Sequence, residues 1–168
     1  AMTTLPAIDL NKPLKDIEYT RNRTINHSEE PGSTIKTFSI IAGLDNNIID
    51  LSDKVFCEAN EDEIGEKVIY KFPELNRRPI EDHEGRDTIS VEEVLAYSSN
   101  IGTVKIAEYL GKKSIYNQAR EFGYGTKTGF DPSTEPSGIF RDPSKWSLSS
   151  MHSIPIGYEI SATPLQIA

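Results

Sequence analysis

The sequence predicts an α+β chain in which helices dominate. Three observations carry this reading. Apolar residues Ile35, Phe38, Ile41 and Ala42 recur at helical spacing, an amphipathic pattern runs from Ser90 to Gly111, and only Lys67 to Phe72 alternates like a strand. With 168 residues, 36% of them hydrophobic, the chain has one domain's length and the means to bury a core.

The opening, AMTTLPAIDLNKPLKD, carries Pro6, Asn11 and Pro13 among scattered apolar residues and reads as irregular chain. Pro31 and Gly32 then break the chain immediately before Ser33, and a helix is predicted over about Ser33 to Leu44. Residues 45 to 87 are polar, with acidic runs at Glu58 to Glu63 and Glu81 to Glu84 that read as solvated surface. Ser90 and Glu93 have capping-box spacing, and Ser98 and Ser99 mark a break between two helices. A shorter helix fits Lys113 to Phe122, closed by Gly123 and Gly125. From Gly123 to Pro143 the density of Gly and Pro predicts loop. Thr163 as N-cap and Pro164 at the first helical position announce a last helix, of which only about one turn follows. One turn has little stability of its own, so the expectation is a chain cut at this end.

Composition narrows the function. Eighteen basic against twenty-six acidic residues give a formal net charge of −8, which disfavours a nucleic-acid partner. The single Cys57 reads as a buried, inert thiol. No apolar run reaches the length of a membrane span. His27, His83 and His152 lack the spacing of a helical metal site and read as solvated or capping groups, so neither metal nor cofactor is expected. The lone Trp146 reads as packing.

Ser33-Thr34-Ile35-Lys36 is the only Ser-x-x-Lys in the chain, and residues three apart share a helix face. A serine becomes a useful nucleophile when a neighbouring base takes its proton, and a lysine of depressed pKa can be that base. Ser98-Ser99-Asn100 is the only Ser-x-Asn. At a helix break, the Ser98 hydroxyl can relay a proton and the Asn100 amide can hold a carbonyl. Taken singly, each motif is better read as a helix start or cap than as chemistry.

Together with their flanks, EPGSTIK, YSSNIGTVKIAEYLG, FGYGTKTGFDPSTEPSG and IPIGYEISATPLQIA resemble the transpeptidase domain of class B penicillin-binding proteins, nearest to the division-type enzymes. The resemblance extends from about Pro6 to Ala168. Ser-x-x-Lys, Ser-Asp-Asn and Lys-Thr-Gly are the known motif set of penicillin-binding proteins and class A β-lactamases. It implies Ser33 as acylated nucleophile, Lys36 as its base, and Ser98 and Asn100 as the second motif, with Ser99 standing where Asp is found elsewhere. It also implies D-Ala-D-Ala stem peptides of peptidoglycan as substrate, β-lactams as inhibitors, divisome membrane proteins as partners of the parent, and an extracytoplasmic, membrane-anchored setting.

Lys127-Thr128-Gly129 spells the third motif but lies between Gly125 and Pro132, where a strand is not expected. The resemblance places the true triplet after TPLQIA and further strands before Ala1. The whole of 1–168 is therefore expected to be the mostly helical middle of a transpeptidase domain, lacking most of its central antiparallel sheet and one oxyanion donor, with little turnover alone. A β-lactamase reading needs a deacylating Glu, and the nearest segment, Phe72 to Asn76, has Phe72 at the decisive place and precedes Ser98 where it should follow. A non-catalytic binding module and an elongation-type transpeptidase are the other readings.

Overall fold

The computed structural model describes residues 2, 3, 5, 8, 9, 11–14, 16–72, 79–131 and 133–168. Pro6, residues 73–76 of the β-lactamase comparison and Pro132 lie outside the described residues. Helix α1 (Arg23–Asn26) is capped by Asn22, whose side chain accepts from the Thr24 N–H. The helix predicted from Ser33 is present with a tighter start: a 3₁₀ turn, Gly32–Ile35, runs directly into α2 (Lys36–Asp45). No side chain caps this junction, so Ser33 is not spent as an N-cap.

Helix α3 (Val91–Ala96) begins with the capping box foreseen at Ser90 and Glu93. After the break, α4 (Asn100–Leu110) carries Ile101, Gly102, Thr103, Val104, Ile106, Ala107 and Leu110 as buried residues. The sequence reads as amphipathic here, but α4 is enclosed on most of its circumference because it is the axis on which the other elements pack. Three apolar clusters meet on it. Ala107 joins Phe38, Ile115 and Tyr124; Ile106 joins Ile40, Val91 and Val94; Ile101 and Val104 join Val68 and Ile80. Helix α5 (Lys112–Glu121) packs on both α2 and α4.

Two short antiparallel ribbons flank the helices. β1 (Lys54–Phe56) pairs with β4 (Thr88–Ser90), and β2 (Val68–Tyr70) pairs with β3 (Ile80–Asp82), Val68 facing Asp82 in register. The alternation at Lys67 to Phe72 is the β2 strand. The other three escape a sequence reading because none lies in an alternating run as long as Lys67 to Phe72, and so short a stretch shows no period.

The acidic run at Glu81 to Glu84 is not uniformly solvated. Asp82 is 5% exposed, carried inward by the strand alternation that also buries Ile80. From Gly123 to Pro143 the described chain is loop, tied by an isolated bridge between Ile139 and Ser161. Helix α6 (Ser150–Ser153) leads into a 3₁₀ turn, Ile154–Ile156. The final turn, α7 (Pro164–Ile167), is held by contacts that supply what its length does not. Thr163 and Gln166 form a capping box, the Gln166 amide donates to the carbonyls of Thr126 and Ser137, and α7 packs on α1. Among the described residues, no helix is long and apolar enough to cross a membrane.

Candidate active site

Ser33 sits in the 3₁₀ turn that opens α2, exposed, while Lys36 one turn on is 1% exposed. Both line a cleft of about 490 Å³ together with Asp82, Ser98, Asn100 and Tyr158. The turn bearing Ser33 is set by a glycine contact. Gly157 has φ +95°, and a Cβ built there would lie 2.0 Å from the Gly32 carbonyl oxygen. Only a residue without a side chain lets the Ile154–Ile156 turn press against the residue preceding Ser33.

The Lys36 Nζ donates to the main-chain carbonyl of Ser98 at 2.5 Å and to its hydroxyl at 2.9 Å. Burial drives the Lys36 pKa down to about 8, with the nearby Asp82 charge acting in the opposite direction. A neutral amine has two N–H bonds and one lone pair. With both N–H bonds directed at Ser98, the lone pair of the neutral amine is not used by these two bonds.

Ser98 has φ +55°, a conformation costly for any residue with a side chain. It occupies the left-handed position of a helix C-terminus: the Ser98 N–H bonds Leu95 O at 3.0 Å and the Ser99 N–H bonds Val94 O at 3.0 Å. Glycine is the usual occupant of that position. The cap of the following helix is Ser99, whose hydroxyl accepts from the Gly102 N–H at 2.9 Å. Ser98 is thereby released from the capping role that its sequence position equally allowed. The Asn100 amide donates to Glu81 O at 2.6 Å, which fixes its plane. The structure thus brings Ser33, Lys36, Ser98 and Asn100 to one cleft.

The sequence of all 168 residues matches the family described as penicillin binding protein transpeptidase domain, over residues 1–168. The chain belongs to this transpeptidase family. It is 28% identical over 169 residues to the probable peptidoglycan D,D-transpeptidase PenA of Neisseria gonorrhoeae, covering 100% of this chain and 27% of that protein. It is 28% identical over 151 residues to the peptidoglycan D,D-transpeptidase FtsI of Escherichia coli K12, covering 90% of this chain and 24% of that protein. Among solved structures, the transpeptidase domain of Burkholderia pseudomallei penicillin-binding protein 3 superposes with a TM-score of 0.75 at 27% identity, covering 89% of this chain and 42% of that one. The chain therefore spans about a quarter of the length of these curated relatives.

Within the transpeptidase chain, Lys127, Thr128 and Gly129 lie outside the cleft in exposed loop. The Thr128 and Gly129 N–H groups donate to the buried Glu135 carboxylate at 2.7 and 3.0 Å. Those N–H groups are thus occupied by the loop's own acid. Among the described residues, no three His, Cys, Asp or Glu side chains gather as a metal set. His27 pairs with Glu29 and His83 lines the cleft, but His152 is buried, against the solvated reading of the sequence. Its Nε2 lies 2.6 Å from Glu108 Oε1 and its ring packs on Phe72, so a carboxylate and an aromatic face stand where water would. Cys57 is buried, and desolvation raises its thiol pKa. Trp146 packs with Tyr116 and Phe140 and donates its indole N–H to Arg141 O at 2.8 Å.

Sequence reasoning missed Asp82, although the apolar Ile80 two residues earlier gives the alternation that points Asp82 inward.

Proposed function

We propose that this chain is the nucleophile-bearing part of a peptidoglycan D,D-transpeptidase of septal cell-wall synthesis. The observation that carries this reading is the buried Lys36 amine, bonded twice to Ser98 in the cleft onto which Ser33 opens. Lys36 takes the Ser33 proton as the Ser33 oxygen attacks the carbonyl carbon between the two D-alanines of a stem peptide. Ser98, on the path between Lys36 and the departing nitrogen, relays that proton to the leaving amine. Terminal D-alanine leaves, and the acyl-Ser33 ester is attacked by an amine of a second stem peptide to form the cross-link. A β-lactam follows the first step only, because its leaving nitrogen stays tethered to the acyl group.

Asn100 orients the donor peptide through its free amide N–H. The position of Ser33 before α2 adds the positive end of a ten-residue helix to the charge forming on the attacked oxygen. The septal assignment draws on the resemblance of the motif-bearing segments to division-type enzymes, and divisome membrane proteins are the partners it implies. An extracytoplasmic setting follows from the same reading, since that is where stem peptides are cross-linked. We further propose that the substrate-pairing strand is supplied from outside residues 1–168, because Lys127–Gly129 is a self-satisfied loop.

The test is intact-mass spectrometry after incubation with a penicillin, followed by peptide mapping, on this chain and on the full-length protein carrying it. An adduct on Ser33 in the full-length protein and none in residues 1–168 supports both parts of the reading. An adduct on another residue, or none in either, refutes Ser33 as nucleophile; an adduct on Ser33 of the isolated chain refutes the need for an external strand.

A further inference from the structure

Asp82 lies outside both motifs, yet its carboxylate binds two of the three residues of the second one. Its Oδ2 accepts from the Ser99 hydroxyl at 2.5 Å, and its Oδ1 accepts from the main-chain N–H of Asn100 at 2.5 Å and of Ile101 at 3.2 Å. An anionic acceptor at the N-terminus of α4 satisfies donors that the helix cannot pair internally and meets the positive end of its dipole. The adjacent Glu81 carbonyl holds the Asn100 side chain, so two consecutive residues of β3 grip residues 99–101. On the other side, the carbonyls of Val94 and Leu95 grip the N–H groups of Ser99 and Ser98. Ser98 is strained between the two grips at φ +55°.

We propose that Asp82 is a positioning residue of the acyl-transfer site, clamping Ser99 and Asn100 so that Ser98 is held in the left-handed shape that sets its carbonyl and hydroxyl on Lys36. This rests on the reading of Ser33 as nucleophile and Lys36 as base. Asp82 also bears on Lys36 through its charge, which favours the protonated amine and opposes the effect of burial. The other charged or titratable groups lining the cleft are His83, Glu84 and Arg86 from the turn between β3 and β4, Tyr97 after α3, and Tyr158 beyond the Ile154–Ile156 turn. Arg86 is turned onto the Tyr97 ring and paired with Glu84, which leaves Asp82 as the anion that bears on Lys36.

The experiment uses the full-length protein with Asp82→Asn and Asp82→Ala. Lys36 is titrated by NMR of its labelled side chain, and penicillin acylation of Ser33 is timed across pH. Asp82→Asn preserves shape and an acceptor for the Asn100 and Ile101 N–H groups, reverses the bond to the Ser99 hydroxyl, and removes the charge. The expected result is that Lys36 loses its proton at lower pH than in the wild type, with the acylation profile moving the same way. Asp82→Ala is expected to slow acylation by about 10- to 100-fold through misplacement of Ser98, and to weaken hydrogen-exchange protection of the Asn100 and Ile101 amides. An unmoved Lys36 titration in Asp82→Asn overturns the proposal, and so does acylation in Asp82→Ala within about twofold of wild type. If Asp82→Ala does not fold, the Asn variant alone decides. If the wild type shows no adduct on Ser33, the functional reading fails while the NMR titration still decides the link between Asp82 and Lys36.

Discussion

The Lys36 Nζ lies 2.5 Å from the carbonyl oxygen and 2.9 Å from the hydroxyl of Ser98, a residue 62 positions away in the chain. A buried amine with two fixed acceptors has a defined direction for its lone pair, and that is what a general base needs. Replacing Lys36 with Ala is expected to lower the rate of Ser33 acylation in the full-length protein by about 10²- to 10⁴-fold, the range that positioned acid–base groups supply. Time-resolved intact-mass measurement checks this, and a variant within tenfold of wild type would sink the assignment of Lys36.

The depressed Lys36 pKa gives two pH dependences. Acylation should rise through a single ionisation with a midpoint near the folded-state value of about 8, as the amine is freed to act as base. Stability should rise with pH between about 8 and the ordinary lysine value of 10.5, because there the unfolded chain binds a proton that the folded one has released. Denaturant melts of wild type and Lys36→Met across this window check the sign. The wild type should gain stability relative to the variant as pH rises.

Ser98 holds a backbone position that glycine fills better. Ser98→Gly is expected to leave the unfolding free energy unchanged or raise it by up to about 1 kcal/mol, since relief of left-handed strain offsets the lost hydroxyl contact. Acylation should nevertheless fall, by about 10-fold or more, because the proton relay is gone. Chemical denaturation alongside penicillin acylation separates the two effects; loss of both together would refute the strain argument.

Gly157→Ala tests how Ser33 is placed. The new methyl would meet the Gly32 carbonyl at 2.0 Å from a backbone at φ +95°, so the turn must shift. A destabilisation of about 2 kcal/mol or more is expected, with slowed acylation even where the chain remains folded.

Lys127→Ala should leave acylation of Ser33 in the full-length protein within about twofold of wild type, since surface substitutions away from a site have small effects. A loss of tenfold or more would place the Lys127–Gly129 loop in the cleft after all.

The helices around the site were legible because each carries a local signal. Pro31 and Gly32 break the chain before Ser33, Ser90 and Glu93 form their capping box, and the Ser98–Ser99 break separates α3 from α4 as read. Three of the four strands were not legible, since none sits in an alternating run as long as the one that holds β2, and the circumferential burial of α4 was hidden because it arises from elements distant in sequence. The two motifs could be named, but each was ambiguous between cap and chemistry. Spacing along a chain does not say which serine caps.

By itself, the sequence determined the helical frame and the residue types able to do acyl transfer, because propensity, capping and i, i+3 spacing are local properties. Only the tertiary structure decided that Ser99 caps α4 while Ser98 turns to Lys36, that Asp82 is a buried anchor and not a solvated acid, and that Lys127–Gly129 is closed on Glu135. Those outcomes depend on burial and on hydrogen-bond partners supplied from remote segments, and burial is what shifts the proton affinity of Lys36 toward the range of a base.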